Sequence, residues 1–199
     1  MYVGAVTKLP LLIGGRFDRI ACGGMAVVVR RAVAEDAPAI AAVHVAAWQV
    51  AYRGLLPDEL LDGLSVSQRE ESWREALGSA SRPEVFVAVE NETVLGFCAL
   101  ATPSRDDDAD DSVAEVGAIY VAPDVWRAGV GRALMEAALE ALRSGNWRYV
   151  TLWVLATNEQ ARGFYARFGF EPDGSQTTYK QTGQTEVRLR APLLSPREA

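Results

Sequence analysis

The feature that most constrains this chain is a strand, a glycine turn and a helix in immediate succession. Val113 to Val121 reads as a strand, and Pro123 leads from it into Trp126-Arg127-Ala128-Gly129-Val130-Gly131. From there Val130, Ala133, Leu134, Ala137, Ala138, Ala141 and Leu142 recur at i, i+3, i+4, i+7, i+8, i+11 and i+12, all on one face of a helix. A helix that opens on such a turn gathers unpaired backbone N–H groups and the positive end of its dipole at one point, which suits a pyrophosphate. Gly129 and Gly131 let the backbone come close, and Arg127 and Arg132 bring charge to the same place. Taken alone, the turn is equally compatible with a plain tight connection.

The rest of the chain supplies the layers that such a unit needs. Val27-Val28-Val29-Arg30-Arg31 is a β-branched strand, and Ala34-Glu35-Asp36 offers a helix start with Asp36 as cap. Ile40, Val43, His44, Ala47, Trp48 and Ala51 then share one helical face until Gly54 and Pro57. A second helical region is expected from about Asp58 to Leu77, with Ser67 and Glu70 in capping-box spacing. Val85–Val89 and Val94–Leu100 flank the polar turn Glu90-Asn91-Glu92-Thr93 as a hairpin. Arg105 to Asp111 is too charged to pack and is expected to be a loop. Tyr149–Leu155 reads as a buried strand, and Thr157 with Gln160 as a capping box. Ala161, Phe164, Tyr165 and Phe168 share a face of the next helix, which Gly169 closes. Strands near Gln176–Lys180 and Thr185–Arg190 turn at Thr182-Gly183.

The order β, α, α, β, β, β, α, β, α, β, β describes an α/β fold: one domain over residues 26–194, a central mixed β-sheet flanked by helices. Residues 1–25 are left as an N-terminal extension, whether a flexible arm, an extra strand or an upstream start, and residues 195–199 as a tail. With 199 residues, 49% of them hydrophobic and 23% charged, the chain can bury a core without disulfides or metals. A net charge of -6 argues against nucleic acid as a partner. No run approaches the roughly 20 apolar residues of a membrane span, so no membrane partner is expected. Cys22, Cys98 and the single histidine, His44, lack metal-ligand spacing; no metal is expected, and a reducing cytoplasm is the natural compartment.

Two segments together make the sequence specific. Ala118 to Pro123 followed by Trp-Arg-Ala-Gly-Val-Gly and Arg132-Ala133-Leu134, and Asn158-Glu159-Gln160-Ala161-Arg162-Gly163-Phe164-Tyr165-Ala166-Arg167-Phe168-Gly169-Phe170, resemble the fourth strand, cofactor loop and (Phe)Tyr…Gly-Phe segment of the GCN5-related N-acetyltransferase (GNAT) family. The likeness runs from Val27 to Leu194, with Trp126 standing where the family pattern has Gln or Arg. It implies an acetyl-CoA-dependent N-acetyltransferase acting by direct transfer in a ternary complex. Ile119, Tyr120, Val121, the loop residues Arg127 to Gly131, Arg132 and Asn158 would hold the cofactor. Tyr165 would protonate the departing thiolate, and Glu115 would serve as base toward the amine. Trp48 and Tyr52 would line the acceptor side.

Periodicity alone makes Tyr165 a core aromatic, Glu115 a solvent-facing strand residue and Asn158 a helix cap. Acceptors consistent with the chain are a polyamine, an amino sugar, an amino acid or a protein amine. The five aspartates between Asp106 and Asp111 favour a cationic one, if they are more than a solvated connector. A homodimer is compatible with the sequence. A different class of reading, a non-catalytic acyl-CoA-binding sensor or interaction module, shares the cofactor residues but needs neither Tyr165 nor Glu115.

Overall fold

Hydrogen bonding joins the strand-like runs into one mixed sheet, seen in a computed structural model that describes residues 20–22, 25–79 and 83–193. In chain order the elements are β1 (Ile20–Cys22), β2 (Met25–Arg31), α1 (Ala37–Ala51), α2 (Asp58–Asp62), α3 (Val66–Gly78), β3 (Glu84–Glu90), β4 (Thr93–Ala101), β5 (Val113–Val121), α4 (Val130–Ser144), β6 (Tyr149–Leu155), α5 (Glu159–Ala166), β7 (Glu171–Tyr179) and β8 (Gln184–Pro192). The strands lie in the order β1-β2-β3-β4-β5-β6-β8-β7. All neighbours are antiparallel except β5 and β6, whose parallel pairing requires a crossover; α4 makes it. Of the alternatives for residues 1–25, the extra strand is seen at Ile20–Cys22; residues 1–19, 23 and 24 lie outside the described residues, as does the tail from 194.

Three helix starts differ from the sequence expectation. The region from Asp58 to Leu77 is two helices, because α2 stops at Gly63 and the chain turns before α3. Ser65, not Ser67, caps α3 by accepting the Gln68 N–H at 3.3 Å, while Glu70 pairs with Arg74 instead of closing a capping box. Asp36 does not cap α1. A single 3₁₀ turn, Ala34–Asp36, precedes that helix, and the Asp36 carboxylate accepts the Val33 N–H at 2.9 Å and pairs with Arg30 at 2.6 Å. At α5, of the two caps the sequence offered, Asn158 and not Thr157 is used: its Oδ1 accepts the Ala161 N–H at 3.1 Å. A cap is fixed by where the chain changes direction, which side-chain periodicity locates only to within a residue or two.

Two apolar layers cover the sheet. On one face α4 packs Leu134, Met135, Ala138 and Leu142 against β2, β3, β4 and β5. On the other, α1 and α3 pack through Ile40, Val43 and Leu77. Strand alternation divides β5 between them: Ile119 and Val121 lie against the α4 layer, whereas Ala118 and Tyr120 lie against the α1 layer. The α4 layer comes closest over β4, where a Cβ on Gly96 would stand 2.8 Å from the Tyr120 carbonyl oxygen and 3.0 Å from Leu134 Cδ1. Gly96→Ala is therefore expected to destabilise the fold by about 1–3 kcal/mol, as overpacking does; a urea midpoint equal to the wild type would show that the backbone yields there.

Candidate active site

β5 and β6 pair over three residues only, Val113↔Tyr149, Ala114↔Val150 and Glu115↔Thr151. Both strands continue, β5 to Val121 and β6 to Leu155, so beyond Glu115 and Thr151 they part. A bulge accompanies the parting: on the other edge of β5 the register with β4 slips between Ala99↔Ala118 and Leu100↔Val116, leaving Gly117 extra. The Arg105 guanidinium lies over that glycine, with NH2 3.1 Å from where a Cβ would be. Two strands that part within a sheet leave backbone donors and acceptors on their inner edges, ready for an extended amide-bearing ligand.

The N-terminus of α4 stands beside this gap. Gly129 turns the chain into the helix at φ +96°, a left-handed conformation suited to glycine, and Arg127 precedes it at φ +63°. The Trp126 indole donates to the Val121 carbonyl at 2.8 Å and fastens the loop to the end of β5, so the departure from Gln or Arg at this position has a structural use. No side chain caps α4, and its first internal bond runs from Ala133 N–H to Gly129 O at 3.0 Å. The N–H groups of Val130, Gly131 and Arg132 therefore open outward. A Cβ on Gly131 would look toward Val121 Cγ2 at 3.5 Å and Phe164 Cε2 at 3.6 Å, which sets the helix end between β5 and α5. Arg127 is exposed, and Arg132 is exposed and paired with Glu136 at 2.7 Å. Asn158 is buried with its amide oxygen used in the α5 cap, leaving the amide N–H groups.

Across β5 from α4 lies an aromatic cleft in two halves of about 450 Å³ each, which share Trp48, Gly117, Tyr120 and Tyr179. Tyr120 stacks on His44 with ring centroids 4.9 Å apart, and its hydroxyl meets that of Tyr52 at 3.5 Å. The side chain of Tyr120 thus belongs to the cleft, while Ile119 and Val121 face the other layer. Trp48 and Tyr52 line the cleft. Tyr165 is outside its lining: it packs against Phe164 and Phe170 on the α4 side. Its phenol is nevertheless near enough to Tyr52 to interact, and burial followed by that neighbour pushes its pKa far above the ordinary value, so the hydroxyl keeps its proton. His44 accepts the Trp73 indole N–H on Nδ1 at 3.3 Å, and burial, followed by the nearby Arg69 charge, lowers its pKa to about 3.

The carboxylates divide sharply between held and unheld. Glu115 is buried and both its oxygens are occupied by Arg105, through the backbone N–H at 3.1 Å, Nε at 3.0 Å and the NH2 group. Glu186 on β8 lines the same half of the cleft, forms no hydrogen bond or ion pair among the described residues, and has its pKa raised by burial. The acidic run is a loop, as its charge requires, but it is folded onto the sheet. Buried Arg188 on β8 binds Asp108 at 2.5 and 2.7 Å, Asp173 at 2.6 Å and Asp106 at 3.2 Å. Asp106 also accepts the Trp153 indole N–H at 2.7 Å. Part of the expected negative field is thus neutralised inside the protein, which weakens the case for the run as an attractor of cations. Sequence patterning missed Glu186, Arg69 and Arg188, because each gains its meaning from a residue far away in the chain.

Comparison with known proteins shows the family and the fold. Residues 40–170 match the family model described as Acetyltransferase (GNAT) family. A probable N-acetyltransferase of Mycobacterium tuberculosis, Rv2775, is 30% identical over 161 residues, covering 80% of this chain and 88% of its own. The uncharacterized N-acetyltransferase YuaI of Bacillus subtilis is 32% identical over 133 residues, covering 66% of this chain and 73% of its own. The crystal structure of PaiA N-acetyltransferase from Thermoplasma acidophilum, in complex with coenzyme A, shares the fold at a TM-score of 0.65 and 17% identity, covering 82% of this chain and 98% of that one.

The state of His44 gives a pH dependence. Its folded pKa of about 3 lies below the ordinary 6.5, so between those values the unfolded chain takes up a proton that the folded chain refuses. This contribution to stability is complete above about 6.5 and is lost progressively toward 3. Denaturation across that window should show the acid loss in the wild type and less of it in His44→Phe. A His44 ring resonance titrating near 6.5 would contradict the burial.

Proposed function

Since this chain belongs to the acetyltransferase (GNAT) family and is an N-acetyltransferase, we propose that it moves an acetyl group from acetyl-CoA to a primary amine by direct transfer within a ternary complex. The observation that carries this reading is the gap between β5 and β6, with the uncapped end of α4 at one side and the aromatic cleft at the other. When bound, acetyl-CoA supplies an acetyl group on a thioester sulfur. The backbone N–H groups from Gly129 to Arg132, with Arg127 and Ala128, suit its pyrophosphate. The inner edge of β5 at Ile119, Tyr120 and Val121, together with the Asn158 amide, suits the amide-bearing arm. A backbone N–H near Val121 is the donor for the acetyl oxygen.

Two proton positions complete the proposal. A lysine-like amine has a pKa of about 10.4 in water, so the acceptor must lose a proton before it attacks. Glu186 is the better base than the expected Glu115. A proton reaching Glu115 has to displace Arg105 from an occupied carboxylate, whereas Glu186 is unengaged and its raised pKa makes it a stronger base than an ordinary carboxylate. Glu115 and Arg105 then serve as a fixed wall beside Gly117. Tyr165 Oη holds the proton destined for the departing sulfur, which its raised pKa keeps in place.

Gly131→Asp should abolish the thermal shift given by acetyl-CoA, because it sets a carboxylate at the phosphate-facing turn. Gly131→Ala, whose Cβ finds only contacts of 3.5 Å or more, should fold normally. An unchanged shift in Gly131→Asp would overturn the assignment of the loop. Tyr165→Phe and Glu186→Gln should each lower kcat by about 100-fold with cofactor affinity nearly intact. Normal turnover by Tyr165→Phe would return that residue to the core and leave sulfur protonation to water; normal turnover by Glu186→Gln would return the base to Glu115.

A further inference from the structure

The two halves of the aromatic cleft differ in charge. Toward β8 the lining holds Glu186 together with the Arg105–Glu115 pair and Asp106, whose charge Arg188 answers. Toward α3 it holds Arg69, beside neutral His44. Among the described residues the Arg69 guanidinium forms no ion pair and no hydrogen bond, although it is half-buried. Its charge is felt at His44 and at Tyr179, which places it against the shared aromatic wall. Glu59 also lines this half, but it is exposed and not paired with Arg69. By contrast Arg30, Arg53, Arg105 and Arg188 are all engaged by carboxylates.

A half-buried charge without a partner has lost solvent and gained nothing in return, so a ligand that supplies the partner binds there with advantage. Guanidinium in particular matches carboxylate and phosphate oxygens two at a time. Glu186 offers the complementary charge across the aromatic residues that both halves share. We infer that the acceptor is an amine that carries its own anionic group, a carboxylate or a phosphate, with the amine toward Glu186 and the anion on Arg69. This inference rests on the acetyl-transfer reading and adds to it the class of acceptor. It also departs from a simple cationic acceptor, since one end of the cleft presents Arg69.

The test uses the full chain with acetyl-CoA and follows thiol release on matched amines: glycine against glycinamide, β-alanine against β-alaninamide, and phosphoethanolamine against ethanolamine. The amino acid pairs report a carboxylate and the last pair a phosphate. In at least one pair the anionic member should have the lower KM. Arg69→Gln should raise that KM about 10- to 100-fold with little change in kcat, the loss expected for a hydrogen bond to a charged group, and leave the neutral member unchanged. Arg69→Lys should keep part of the preference, and Arg69→Glu should turn it toward a diamine such as putrescine. Turnover of neutral and anionic members alike, unaltered by Arg69→Gln, would overturn this inference and leave the transferase intact. No turnover on any member, with acetyl-CoA still stabilising the fold, would overturn this inference alone, because a peptide amine or an amino sugar then remains as the acceptor of the transferase.

Discussion

The proposed function depends on two parallel strands that stop pairing after three residues. A sheet in water ordinarily satisfies its backbone groups strand by strand, so a gap between β5 and β6 leaves donors and acceptors that only solvent or a ligand can use. The bulge at Gly117 bends β5 at that point, and the missing Cβ leaves room for Arg105. The same bend separates two environments. On one side Ile119 and Val121 join the layer under α4; on the other Tyr120 joins the aromatic wall against α1. A cofactor arm and an acceptor can therefore approach the same strand from opposite faces without competing for room.

Charge is arranged around this gap with the same economy. Arg188 gathers Asp106, Asp108 and Asp173, which pins a loop that would otherwise repel itself. Arg105 occupies Glu115. Once these pairs are accounted for, Glu186 and Arg69 are the cleft charges that stand out as unmatched, and a half-buried unmatched charge is a better guide to ligand chemistry than a count of acidic residues in the sequence. The five aspartates looked like a field aimed at a cation; folded, two of them, Asp106 and Asp108, are part of the scaffold that holds β8 and the loop before β5 together.

The sequence by itself determined the layers and the unit of strand, glycine turn and helix beside the gap. Alternation and β-branching located seven strands, the repeat from Val130 to Leu142 located α4, and Gly129 and Gly131 located its open end, because each of these signals is written in neighbouring residues. The cap at Ser65 was legible only to within a residue or two. The tertiary structure alone decided which charges in the cleft are matched and which are not. Glu186 and Arg69 lie more than a hundred residues apart, and nothing local marks either as unpaired. Whether a carboxylate is held, like Glu115, or open, like Glu186, depends on which side chain the fold brings against it. Side-chain charge acts through space and is cancelled through space, so its net effect belongs to the folded arrangement and not to the order of residues along the chain.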